Sequence, residues 1–478
     1  MSPRHDDERA GPQEQSGQTE QTGQTEQGGP AEHVPAATDR RSLPRRILAL
    51  AVPALGALVA EPLFLLADTA IIGRLGVEEL AGAALGLTVM QTVTGLMIFL
   101  AYSTTPQVAR SVGAGRMPRA LAAGRDGVWL SVIIGVVLAA AGLAAGEALL
   151  QLMGADGSML DQAWAYLLWS LPGIPAILLV FAATGVLRGL QDTTTPLVVA
   201  GCGFGANILL NLILVHPVGL GVAGAAMGTS IAQWGMALVY LTLLVPRLRE
   251  HAVPLAADPM GLRKAFSVGS WMLLRTLSLR AAMVATVLVA TDLGPDTLAA
   301  HQVTFTVFST LAFILDALAI AAQALIGKEL GAHRLETAAR LTRTMVLWGV
   351  GFGVITGAAI AVVGPLSAPL FTPDDAVASA IGAALLVVAA AQPIAGLVFV
   401  LDGVLMGAGD VRYLALAGLV NLALYAPALY WISSAGLTGT ASVVWLWVGY
   451  GVVFIGARAL TLGVRARGEA WMVGGDAA

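Results

Sequence analysis

The sequence predicts an all-α polytopic membrane protein, twelve transmembrane helices in two parallel six-helix repeats around a central cavity. Three observations lead there. The 478 residues are 57% hydrophobic and 12% charged, with a mean hydropathy of +0.78, and a soluble domain carries about twice that charged fraction. Apolar runs long enough to cross a bilayer recur twelve times. The two halves of the chain also repeat one another at a single offset of 218 residues.

Taken in order, residues 1–44 come first. Their SGQTEQTGQTEQGGPAEH stretch has almost no apolar content, so the composition predicts a disordered cytoplasmic tail. It lacks the apolar core of a signal peptide, which leaves the first apolar run as a membrane helix. The runs fall near 46–73, 80–107, 127–154, 162–188, 195–216, 222–246, 265–291, 298–327, 341–371, 377–408, 412–433 and 438–462. Six of them make an N-terminal lobe, 45–250, and six a C-terminal lobe, 251–465; residues 466–478 read as a second cytoplasmic tail.

Charge placement tests that map independently. Arg40, Arg41, Arg45 and Arg46 precede the first run, and Arg110, Arg116, Arg119 and Arg125 follow the second. Arg247, Arg249, Arg263 and Lys264 join the halves, and Lys328, Arg334, Arg340 and Arg343 follow the eighth run. The alternate loops hold Asp156, Asp161, Asp292, Asp296, Asp374 and Asp375, with Arg74 as their one arginine. The positive-inside rule then puts both termini in the cytoplasm and makes the helix count even. The localisation expected is the plasma membrane, multi-pass.

Three matches share the 218 offset. IIGRLGVEELAG at 71–82 answers VATDLGPDTLAA at 289–300, GAGR at 113–116 answers GAHR at 331–334, and GVLRGLQD at 185–192 answers GVLMGAGD at 403–410. An offset of six helices preserves orientation, so the repeats are parallel, related by an axis along the membrane normal. The carboxylates inside the runs are not shared between repeats. Asp68 falls opposite Thr286, Glu61 opposite Leu279, Asp316 opposite Ile98 and Asp402 opposite Thr184.

Those unshared acids carry the functional reading. An ionised carboxylate at bilayer depth costs about 2.5–3.5 kcal/mol on insertion scales, so it faces protein or a water-filled cavity. Glu61 and Asp68 are seven residues apart, which puts them on one helix face at roughly 10 Å separation. A structural acid met by a neighbouring helix is the plainer account of each; for Asp68 the sequence favours a titrating or cation-binding site. A desolvated carboxylate can exchange a proton near neutral pH, and Glu61 would act on Asp68 as a like charge. Asn207 and Asn211 share a face of the fifth helix, and Gln91 and Thr94 sit on the second. Interhelical hydrogen bonding, worth about 0.6–2 kcal/mol, explains the asparagines as well as substrate or cation binding does.

In the second half, Arg275 lies roughly 15 Å from the basic end of its helix, at a depth similar to Asp316. The expectation is a structural charge network in which Arg275, Arg280, Asp316 and Asp402 neutralise one another, Arg275 pairing with Asp316; gating is the alternative role. Enzyme constellations are missing from the sequence. GAGR and GCGFG lack the GK[ST] ending of a phosphate loop, and no histidine pair has metal-ligand spacing. With no nucleotide site to draw on, an ion gradient is left to supply the energy. No cofactor, metal, nucleic acid or obligate protein partner is expected beyond the lipid bilayer and a small-molecule substrate.

At these residues the chain resembles a known family. FLLADTAIIGRLG, AAHQV at 299–303, LLRTLSLR and LDGVLMGAGD together look like the multidrug and toxic compound extrusion (MATE) transporters, DinF-like branch, over residues 45–465. The resemblance implies a multidrug efflux antiporter for cationic or amphipathic compounds, driven by protons or sodium. It implies that Asp68 is the coupling residue and that Asn207 belongs to the amino-terminal cation site. Asn211 stands where many relatives have a second aspartate, which turns the expectation from sodium towards the proton. A lipid-linked precursor flippase shares the helix plan and stays open as an alternative, though only Arg275 and Arg280 are available to line such a cavity. A non-transporting membrane protein would leave Asp68 without a role.

Overall fold

The structure is a computed structural model that describes residues 39–475, with side chains from residue 43. The tail read at residues 1–44 falls almost wholly outside the described residues, and so does the end of the 466–478 segment. Every regular element among the described residues is helical.

Twelve helices are long and apolar enough to cross a membrane. The first span is α1 (Asp39–Ile72), and the second is α2 (Val77–Met97) continued through Ile98 by α3 (Phe99–Gly113). After α4 (Met117–Leu152), the fourth span runs through α5 (Gly157–Ser170), a 3-10 turn at Leu171–Gly173 and α6 (Ile174–Gly189). Pro172 and Pro175 lie at that turn, where missing N–H groups break the regular ladder. Next come α7 (Thr194–Val215), α8 (Gly221–Glu250), α9 (Pro259–Asp292), α10 (Pro295–Gly331), α11 (Leu335–Ser367), α12 (Asp375–Gly407) and α13 (Val411–Ser434). The last span is α14 (Thr440–Val448), a π-helical turn at Gly449–Phe454 and α15 (Ile455–Arg467). Helix is what the bilayer dictates, because nothing in hydrocarbon can satisfy an open backbone.

All twelve spans fall where the apolar runs are, but they reach further at the basic ends. α4 starts at Met117, ten residues ahead of the run, because Arg119 and Arg125 lower hydropathy without stopping a helix. Asp258 and Asp374 cap α9 and α12 by accepting from backbone N–H groups two and three residues on, the usual remedy for orphan donors at a helix start.

The repeat is visible in the backbone itself. Positive φ angles recur in pairs at the sequence offset: Gly115 (71°) with His333 (57°), Gln191 (69°) with Gly409 (76°), and Gly221 (54°) with Gly439 (58°). His333 and Gln191 hold a left-handed conformation that costs a residue with a Cβ about 1–2 kcal/mol. In each of those two pairs one repeat has glycine and the other makes the same turn without it.

The halves meet at the end rich in arginine. α3 crosses α10 so closely that a Cβ on Gly113 would strike the Lys328 carbonyl, and one on Gly331 would strike the Arg110 carbonyl. Arg46 pairs with Glu329 at 2.5 Å, Gln191 Nε2 donates to the Ala324 carbonyl at 2.9 Å, and Gln323 Nε2 to that of Tyr102 at 2.7 Å. The chain past α15 adds a strap over this face. Buried Arg110 donates to the carbonyls of Val473 and Gly475, at 2.5 and 3.1 Å, and to that of Ala408 at 2.6 Å, while Gly475 N–H donates to the Leu330 carbonyl.

Candidate functional site

The deepest polar cluster of the first half is built by α1, α7 and α8. α1 and α7 run side by side, with Gly56 against Leu197 and Phe64 stacked on Phe204 at 5.0 Å between ring centroids. One turn further along, that pairing brings Asn211 onto Asp68. Asp68 is 1% exposed and Asn211 fully buried. Asn211 Nδ2 donates to Asp68 Oδ1 at 2.6 Å and to Asn207 Oδ1 at 2.9 Å; Asn207 Nδ2 then donates to Thr229 Oγ1 at 2.9 Å. Thr229 hands its own proton to the Ala225 carbonyl at 3.0 Å. The sequence thus put the acid and both asparagines in one place, and the structure joins them by direct hydrogen bonds.

Gly228 explains the fit. Asn211 Oδ1 occupies the space a Cβ would take there, so α8 can approach α7 only through a glycine. That oxygen is buried and accepts no hydrogen bond. An unpaired buried acceptor costs about 1–3 kcal/mol and therefore calls for a reason.

Three expectations need correction. Glu61 does not join this cluster: it is exposed, and the charge acting on it belongs to Arg280 on α9 of the other half. Periodicity puts Glu61 and Asp68 on one face but cannot say what stands opposite each turn. Gln91 and Thr94 lie apart from this cluster: Gln91 is exposed, and Thr94 Oγ1 donates back to the Met90 carbonyl of its own helix at 2.9 Å. Arg275 pairs with Asp402 rather than Asp316, and Arg458 of α15 reaches the same carboxylate at 3.3 Å. Asp316 instead accepts from the Tyr102 hydroxyl of α3 at 3.2 Å. Arg280, exposed on the gap between the halves beside Gly95 of α2, is outside that network. Depth along a helix, which suggested Arg275 with Asp316, does not fix azimuth; α9 turns Arg275 towards α12.

Sequence reasoning missed Tyr102 and Arg458 as partners. Arg458 carried a usable signal, since a lone arginine inside the last apolar run needs a buried acid. Tyr102 carried none.

Two parallel six-helix halves, closed at one end and holding a buried acid–amide cluster in one of them, define a membrane transporter of the two-repeat kind. The MatE family model matches the chain twice, over residues 53–213 and 272–431, so that the second match ends one repeat offset after the first. Protein DETOXIFICATION 45, chloroplastic, of Arabidopsis thaliana is 30% identical over 446 residues, 87% of this chain and 76% of that protein. DNA damage-inducible protein F of Escherichia coli is 29% identical over 290 residues, 59% of this chain and 63% of that one. In fold, the chain is similar to the Vibrio cholerae MATE transporter VcmN in its bent form, with a TM-score of 0.81 at 21% identity over 91% of this chain and 100% of that one. The chain belongs to the MatE family, the multidrug and toxic compound extrusion transporters, and is a multi-pass membrane efflux transporter rather than an enzyme.

Proposed function

We propose that this transporter is a proton antiporter of the plasma membrane, with both termini cytoplasmic, that exports cationic or amphipathic small molecules. Its lobes, 45–250 and 251–465, rock against each other, and Asp68 is where proton and substrate exclude one another. The observation that carries the reading is the amide beside Asp68. An ionised carboxylate accepts the Asn211 N–H; a protonated one has an O–H to donate and needs an acceptor. Asn211 Oδ1 is such an acceptor, buried and unused. A half-turn of the amide exchanges its nitrogen for its oxygen and satisfies the acid in its other protonation state. An aspartate at the same position would add a second negative charge and no N–H, which suits a metal cation. Asn211 places a donor between the Asp68 and Asn207 oxygens, which favours the proton over sodium.

Coupling follows by linkage. Protonation removes the charge that holds a cationic substrate, and each ligand shifts the equilibrium between the two faces only through its differential affinity for them. Purified protein in liposomes, given a pH gradient in sodium-free buffer, is expected to move a cationic dye, and Asp68→Asn is expected to abolish that movement while remaining folded. Dye movement driven by sodium alone, or coupled transport by Asp68→Asn, overturns the reading.

A further inference from the structure

The second half contains the image of the Asp68 site, rebuilt with different chemistry. At the repeat offset Asp68 corresponds to Thr286, Asn207 to Tyr425, Asn211 to Leu429 and Thr229 to Trp447. Thr286 and Tyr425 are hydrogen-bonded at 2.8 Å between their hydroxyls, so the contact between corresponding helices persists although every side chain in it has changed. Beside this pair lies a cavity of about 270 Å³ between α9, α10 and the last span, lined by Arg280, Thr286, His301, Phe305, Trp447 and Tyr450 among others.

Two polar groups of its lining residues have no hydrogen-bond partner. Trp447 Nε1 and His301 Nδ1 are both buried without a hydrogen bond, on residues 2% and 4% exposed. The two rings lie 5.5 Å apart, and Trp447 is also packed edge-on to Tyr450 at 5.6 Å, so packing holds the indole in place. Indole can only donate. A buried donor with no acceptor is costly and is relieved by whatever brings an oxygen. Arg280 sets the charge of that guest. Arg280 lines the cavity while its guanidinium reaches Gly95 of α2, and a cation entering the ring of aromatic residues would approach a like charge. Cation–π attraction is worth about 0.5–2 kcal/mol, and the Arg280 charge opposes it. The first half has no counterpart: Arg280 corresponds to Pro62 and His301 to Ala83.

We propose that this cavity is a second ligand site, opposite in polarity to the first, that takes a small aromatic carboxylate. Its ring packs among Phe305, Trp447 and Tyr450, and its carboxylate accepts from the Trp447 indole and the Arg280 guanidinium. The site does not depend on proton coupling at Asp68.

The test is calorimetric titration of the purified full chain with benzoate, benzylammonium and benzyl alcohol. Benzoate is expected to bind in preference to both others. Arg280→Gln and Trp447→Phe, the second keeping a ring in place, are each expected to weaken benzoate by about tenfold or more, the worth of one charge-assisted hydrogen bond. Asp68→Asn is expected to bind benzoate as the parent does, which separates this site from the transport reading. Absence of benzoate binding at millimolar concentration, binding of benzylammonium at least as tight, or a loss in Arg280→Gln without one in Trp447→Phe each overturns the proposal.

Discussion

Single residues show where sequence reasoning reaches and where it stops. A carboxylate in an apolar run announces itself, so Asp68, Asp316 and Asp402 could all be named from sequence. Their partners could not, because a partner depends on how neighbouring helices rotate, and rotation is settled by packing against several elements at once. The pairing of Arg275 shows the consequence. Its guanidinium and the Asp402 carboxylate are each about a tenth exposed, and removing Arg275 leaves that buried carboxylate to Arg458 alone, at 3.3 Å, a loss below the about 3–5 kcal/mol of a fully orphaned charge. Arg275→Ala is therefore expected to lower the melting temperature of the detergent-solubilised protein markedly. Adding Asp402→Asn is expected to recover part of that loss, with Arg458 limiting the recovery, while adding Asp316→Asn recovers nothing. Rescue by Asp316→Asn instead would reverse the assignment.

At the scale of elements, hydropathy located every span but not the breaks within them. The turn at Leu171–Gly173 could be anticipated from its prolines, whereas the interruption at Ile98 and the π-helical turn at Gly449–Phe454 have no comparable signal in sequence. The crossing of α3 and α10 was half legible: GAGR and GAHR stood out as a repeated pair, yet nothing in the string says that they touch. Because Gly113 and Gly331 rest on backbone rather than on side chains that could move, Gly113→Val is expected to pry the basic face apart. A cysteine at Ala109, buried at this crossing, is then expected to react with a membrane-permeant maleimide several times faster than in a Gly113 background, in a Cys202→Ser chain. Equal rates would mean that the face is held shut elsewhere.

For the whole molecule, composition, alternating charge and the single offset were enough to give twelve spans and the two-repeat plan, since each depends on many residues and survives local error. The proposed orientation rests on the same charges. In the Cys202→Ser chain, cysteines at Asp156, Asp292 and Asp374 are expected to label from outside intact cells with an impermeant reagent, and cysteines at Arg119, Arg249 and Arg334 are not. The opposite pattern would invert the molecule and the direction of export with it.

The α3–α10 crossing has the reciprocity of a homodimer contact. Gly113 sits on Lys328 and Gly331 sits on Arg110, and each of those is the other's equivalent one offset away. Two identical six-helix chains related by a twofold axis would make this same contact. Such a dimer must duplicate every acid it uses, and so can hold its coupling groups only in even number. Covalent linkage lifts that restriction: one copy can keep Asp68 while the other keeps Thr286, and Thr229 can stand in one where Trp447 stands in the other. An odd stoichiometry, one proton per cycle at a single carboxylate, becomes available only after the two copies have been joined and allowed to differ.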